Sequence, residues 1–150
     1  MNLEQLGLLG VFIAGATPWL EAVVVIPAGL LIGLDPLGVV LFALIGNALT
    51  IFLFAYLGAA IRDWFRSRRK TLNSGKPDRF AKAQRLFDRY GIIGLALISP
   101  LLVGTQFAAA VAVAAGVKPL RTSILITAST AVWGIAVAGL VMFVGMPHQP

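Results

Sequence analysis

Apolar residues occupy this chain in long blocks, and the lengths of the blocks predict its elements. Leu6 to Ala16 is an apolar, glycine-rich run, too short for a bilayer crossing, which takes about 20 residues. Thr17-Pro18 interrupts it, because the residue before a proline avoids the helical region. Trp19 to Leu34 is a second short run, closed by Gly33-Leu34-Asp35-Pro36. Two short arms around a break predict a re-entrant hairpin, with one long kinked span as the alternative. Leu37 to Ile61 is uncharged throughout and long enough to cross. Gly91 to Val117 is uncharged as well but broken at Ser99-Pro100, which predicts a second hairpin. Thr122 to Pro147 predicts a second full span.

Between the apolar blocks the character reverses. Ten of the twelve Lys and Arg residues lie between Arg62 and Arg89. Arg79 to Tyr90 is amphipathic, with Phe80, Ala83, Leu86, Phe87 and Tyr90 at helical spacing and cations on the other face, as in a helix lying along a membrane surface. A short basic loop between membrane segments is cytoplasmic by the positive-inside rule, and this reading leaves no role for nucleic acid. Topology can be tested against charge. If Gly91–Val117 crossed, Lys118 and Arg121 would lie outside; if it enters and returns, they join the basic loop. Asp35 then falls at the opposite face, where no cation is found. The re-entrant arrangement satisfies both ends.

Composition narrows the class. Apolar residues make up 59% and charged residues 12% of the 150, against about 25% charged in soluble proteins. The fold expected is an all-α integral membrane protein. Cysteine is absent and the one histidine is His148, so thiolate chemistry, a zinc site and a His-based hydrolase are not expected. No G-x-S-x-G and no pair of carboxylates occurs in the apolar blocks, so neither enzymatic activity nor a cofactor is predicted, the proton gradient being the energy source considered. The N-terminus lacks the positive charges of a secretory signal and is expected to be retained.

The halves repeat. Gly33-Leu-Asp-Pro36-Leu37 superposes on Gly116-Val-Lys-Pro119-Leu120. Each half reads as break, apolar arm, Gly-x-x-Pro-Leu, full span. The expected organisation is a first repeat over 1–61, a basic loop and amphipathic helix over 62–90, and a second repeat over 91–147. With one crossing between them the halves enter from opposite sides, the inverted-repeat plan of secondary transporters, whose sites lie near the midplane where broken helices meet.

Glu21 is the one ionisable group well inside an apolar stretch. Apolar surroundings favour its neutral form, so it is a candidate for exchanging a proton against a substrate. A protonated structural Glu is the alternative. Asp35 stands before a proline at a hairpin end, where a helix cap is the plainer role. Asn47 lies one turn from Thr50 and beside Gly46, a spacing that marks helix–helix contact as readily as substrate binding. Thr105 and Gln106 offer neutral hydrogen bonds to a ligand or to Glu21. Pro18, Pro27, Pro100 and Gly104 are expected to shape the breaks. The reading is a small proton-coupled secondary transporter of the inner membrane, in contact with lipid and with an unidentified small molecule. A homodimer is expected, since two spans give little cover to two hairpins.

Pro18-Trp19-Leu20-Glu21, then Ile26-Pro27 with Gly29, resembles the signature of the small multi-drug export proteins, and Tyr90-Gly91, then Pro100 with Gly104-Thr105, is similar to their second half. That family belongs with the DedA (VTT-domain) membrane proteins. The resemblance implies re-entrant-hairpin transport linked to lipid-carrier flipping or proton-dependent export. A flippase or scramblase without proton coupling, or a membrane scaffold, is the alternative. Leu97 and Val103 stand where DedA proteins carry arginines, and Val23 where the export family has one, so an anion clamp does not carry over.

Overall fold

The computed structural model describes residues 2–68 and 78–145, and the side chains among them outside 65–84. The described residues form six helices: α1 (Leu3–Gly15), α2 (Ala22–Leu31), α3 (Pro36–Arg68), α4 (Asp78–Leu102), α5 (Thr105–Ala114) and α6 (Pro119–Gly145). The signals that start and stop them are local. Asn2 and Gln5 close a capping box on α1. At its end the Thr17 hydroxyl donates to the Ile13 carbonyl at 2.8 Å. Asp35 caps α3, its carboxylate accepting from the Gly38 N–H at 2.6 Å, and Pro36 takes the first helical position, where its missing N–H costs nothing.

The prolines behave differently from one another. The chain turns at Thr17–Leu20, around Pro18, but Pro27 lies inside α2 and Pro100 inside α4. At Pro100 the helix loses the N–H that would have bonded the Ala96 carbonyl. The Ser99 hydroxyl donates to that carbonyl instead, at 3.2 Å, and α4 continues to Leu102. The turn comes at Gly104, whose φ of 97° suits glycine. α4 has its own discontinuity at Gly91 (φ 65°, ψ −166°), which separates the amphipathic piece from the hairpin arm. α3 runs past the end of its apolar block to Arg68, because arginine propagates a helix well. The core of the basic loop, 69–77, lies outside the described residues, as does His148.

Two compact units emerge: Met1–Leu49 with Thr130–Pro150, and Thr50–Ser129. Each combines a hairpin, the opening half of the span that follows it and the closing half of the other span. The first has a core of Val11, Ala22, Val25, Ile26, Val39, Ala43 and Ala138. The second is built on Ile51, Ala55, Leu95, Val103, the alanine- and valine-rich face of α5, and Ile126. In the first unit α1 and α3 meet backbone to backbone. A Cβ on Gly15 would stand 2.5 Å from the Ala43 carbonyl oxygen, and one on Gly46 would collide with the Phe12 carbonyl oxygen.

The register that places Gly33 on Gly116 extends well beyond the matching letters. α2 and α5 have 10 residues each and start at Ala22 and Thr105; α3 and α6 start at Pro36 and Pro119. Gly33 and Gly116 both turn with positive φ, 81° and 103°. Burial keeps the register too. Val39, Ala43, Asn47 and Ala55 on α3 answer to Thr122, Ile126, Thr130 and Ala138 on α6, and all eight are buried.

Among the described residues α3 and α6 are the two helices long and apolar enough to cross a membrane, and only 33% and 28% of their most apolar windows are buried. Leu41, Ile45, Leu49 and Leu53 on α3, and Ile124, Val132, Ile135 and Leu140 on α6, are exposed. Polar side chains such as Asn47, Thr50, Thr122 and Ser129 face inward. A soluble core helix is buried on its apolar side; these helices turn a row of leucine, isoleucine and valine side chains out. That is the inside-out pattern of a bilayer-embedded protein.

Candidate functional site

The break in the first hairpin creates the first polar position. Trp19 takes φ 144°, a strained conformation for a side chain of its size, worth about 1–3 kcal/mol. It turns the chain so that Glu21 becomes the N-cap of α2. The Glu21 backbone carbonyl accepts from the Val24 and Val25 N–H groups at 2.8 and 3.0 Å, while its carboxyl group makes no capping bond. The side chain goes inward and is 8% exposed. There the Asn47 Nδ2 donates to Glu21 Oε2 at 3.5 Å, the outer limit of a hydrogen bond.

This pairing has a chemical consequence. An amide carries both a donor and an acceptor. Asn47 can therefore donate to the carboxylate and, with its oxygen, accept from the protonated acid. The positive end of the α2 dipole favours the anion and burial favours the neutral acid.

In the second unit the place equivalent to Glu21, in the register of the repeat, is Gly104, the N-cap of α5. No carboxylate stands there. Thr105 and Gln106 follow it, 0% and 1% exposed, and Gln106 Nε2 donates to the Thr50 hydroxyl at 3.2 Å. Both hairpins thus open their second arm with a buried polar side chain bonded to α3, Glu21 to Asn47 and Gln106 to Thr50. The first pair is ionisable and the second is neutral. Among the described residues no cluster of His, Asp and Glu suited to a metal ion occurs.

Asp35 is not brought to the Glu21 pair. It is exposed and capping α3. Pro18 flanks the first turn, and Pro27 and Pro100 lie within helices. Two participants are not among the sequence-predicted site residues, although Thr50 is placed there at a helix–helix contact. Thr50 is the hydrogen-bond partner of Gln106, for which its one-turn spacing from Asn47 was the available signal. Arg62, 20% exposed and paired with Asp63 at 3.0 Å, also donates to the Val113 carbonyl at the end of α5, at 2.9 Å. No pattern in the letters joins two positions so far apart in the chain. The first unit also holds an open apolar groove of about 440 Å³, lined by Leu30, Leu31, Leu34, Pro36, Val141 and Met142.

Residues 21–136 match the family model described as putative small multi-drug export protein. No curated protein and no solved structure matches the chain.

Proposed function

Since the chain belongs to that export family, with the model covering most of its length, we propose that it is a proton-coupled secondary transporter that exports small molecules. Glu21 is the group that carries the proton. The observation that carries this reading is the buried Glu21–Asn47 pair at the N-terminus of α2. Asn47 keeps Glu21 hydrogen-bonded in either protonation state, and cargo that disturbs the pair changes which state is favoured. Asp35, exposed and engaged as a cap, has no part in the coupling.

The same reading makes the two hairpins re-entrant and the repeat inverted. Support comes from the helix bounds, which agree in the register of the repeat, and from the composition of the two units. The opening half of each span shares a unit with the closing half of the other, the order expected of spans that run in opposite directions. In this arrangement the protein is a multi-pass protein of the inner membrane with residues 62–90 cytoplasmic, and a homodimer supplies the cover that two spans alone do not give two hairpins. The Gln106–Thr50 pair offers the cargo neutral hydrogen bonds, and the groove beside Leu31 suits an apolar portion.

The test is transport in proteoliposomes under an imposed pH gradient, with a panel of cationic, neutral and anionic amphiphiles. Glu21→Gln keeps the shape and the hydrogen bonds of the neutral acid but cannot titrate. It is expected to give folded protein whose export ignores the gradient, while Asp35→Asn keeps the response. Full gradient-driven export by Glu21→Gln would overturn the assignment.

A further inference from the structure

The polar residues of α6 remain unexplained by the Glu21 chemistry. Its first three turns carry Thr122, Ser123, Thr127 and Ser129, all within the second unit. Thr122 and Ser123 are 0% exposed and Ser129 is 7% exposed. The hydroxyl oxygens of all four are buried without a hydrogen-bond partner among the described residues. A buried hydroxyl left unpaired is costly, and native interiors hold few of them. Four on one stretch of one helix call for a cause.

Packing is not the cause, and the chain carries its own control. In the register of the repeat the positions of Thr122, Ser123, Thr127 and Ser129 are filled on α3 by Val39, Val40, Leu44 and Gly46. Val39 is as buried as Thr122, and Gly46 as Ser129. The same helix in the same register therefore packs with no hydroxyl at all in the first repeat. A valine fills the volume of a threonine, so the oxygen at position 122 adds nothing to the packing there.

The surroundings of this face are informative. It begins directly after Lys118 and Arg121, both exposed, and Arg62 sits at the α5 terminus that leads into the same turn. Ile124 and Ala128, on the opposite side of α6, are exposed. The hydroxyl face thus starts at a cationic rim and runs inward, uncharged, for about two turns.

We propose that the Thr122, Ser123, Thr127 and Ser129 face of α6 is the wall of an aqueous pathway that opens in a second conformation of the transporter, admitting water and anionic or neutral hydrogen-bonding solutes through a basic entrance. In the present structure this face is closed over, its four hydroxyls buried. Opening supplies them with water. The conformational cycle rests on the transporter reading above; the chemistry of the pathway does not involve Glu21. The cationic rim sets the selectivity at the entrance, since Lys118 and Arg121 attract anions and repel cations over about a Debye length.

Single cysteines in this cysteine-free chain test it directly. Ser123→Cys and Thr127→Cys, in proteoliposomes of known orientation, are exposed to anionic and cationic methanethiosulfonates of similar size. Lys118→Cys serves as the accessible control. The expected result is labelling of both from the side that labels Lys118→Cys, at least tenfold faster with the anionic reagent than with the cationic one. Ile124→Cys and Ala128→Cys stay unlabelled, because thiols in lipid do not ionise. Placing the first repeat's residue into the second, Thr127→Leu, lowers the labelling rate of Ser123→Cys at least tenfold while raising the melting temperature. If Ser123→Cys and Thr127→Cys stay inert to both reagents while Lys118→Cys reacts, the face is permanently dry and the proposal fails. It fails equally if the cationic reagent is the faster, or if Thr127→Leu leaves the labelling unchanged. Because none of these readouts measures gradient-driven export, loss of the pathway and loss of the Glu21 assignment are separately visible.

Discussion

Alanine at Gly15 or Gly46 is expected to destabilise the protein, whereas alanine at Gly10 or Gly139 is expected to stabilise it. The four glycines lie in helices of similar apolar character and differ in what a Cβ would meet. At Gly15 it would stand 2.5 Å from the Ala43 carbonyl oxygen and 3.1 Å from the Ala43 Cα; at Gly46 it would run into the Phe12 carbonyl oxygen; at Gly10 and Gly139 nothing lies within 4 Å. Ordinary contact begins near 3.4 Å, so α1 and α3 must part by about 0.9 Å at Gly15, enough to forfeit a quarter to a half of each contact's attraction. The obstructing atoms are backbone, which no rotamer change removes. Overpacking of this kind costs about 1–3 kcal/mol. Alanine's helix preference returns roughly 0.5–1 kcal/mol and is the only term at Gly10 and Gly139. The net is a loss of about 1–2 kcal/mol at the crossing and a gain of up to about 1 kcal/mol elsewhere. For a chain of this size that is a melting-temperature fall of about 2–8 °C against a rise of about 1–4 °C. Tryptophan fluorescence melts of detergent-purified variants read both signs. Melting of Gly15→Ala and Gly46→Ala at or above wild type would refute the close-crossing argument.

Three further outcomes are expected. Asp63→Cys and Lys118→Cys react with an impermeant thiol reagent from one and the same side of the membrane; labelling from opposite sides sinks the re-entrant second hairpin. Gln106→Leu removes the 3.2 Å bond to Thr50 and lowers stability by about 1–2 kcal/mol, and combining it with Thr50→Val costs less than the sum of the two, a coupling that a double-mutant cycle measures; strict additivity would show the bond contributes nothing. Gly33→Ala and Gly116→Ala each force a side chain to positive φ and cost about 1–2 kcal/mol, equally in both; a large difference between them argues against equivalent turns.

Much of the architecture was legible as block length. The run Leu6–Ala16 is too short to cross and Leu37–Ile61 is not, which separated α1 and α2 from α3 and α6 before any contact was known. The register of the repeat was visible in one short stretch, Gly33 to Leu37, because turn chemistry constrains residue type tightly. The agreement of helix bounds and burial beyond that stretch was not visible, because burial constrains size and leaves identity free: Ala43 and Ile126 stand 83 residues apart, are both buried and share no letter. Proline misled where it was met by a neighbour. Pro100 reads as a break, yet Ser99 serves the carbonyl that proline cannot, and the helix goes on. Glu21 stood out because a lone acid among apolar residues has few explanations, and Asn47 because it is an amide in a span. The reach from Glu21 to Asn47 depends on the turn at Trp19, whose positive φ no sequence rule announces.

The composition of the two units bears on how the chain comes into being. The second unit is one uninterrupted stretch, Thr50–Ser129, whereas the first joins Met1–Leu49 to Thr130–Pro150. Synthesis therefore delivers the second unit whole, while the earliest part of the chain is made long before its last helix leaves the ribosome. Ala138, a member of the first core, arrives last. Until then Ile26 of α2 has its α1 and α3 neighbours in the core but lacks the packing that Gly134 gives it. The first hairpin is made before the second unit and completed after it, and any fragment ending before α6 leaves its core without Ala138.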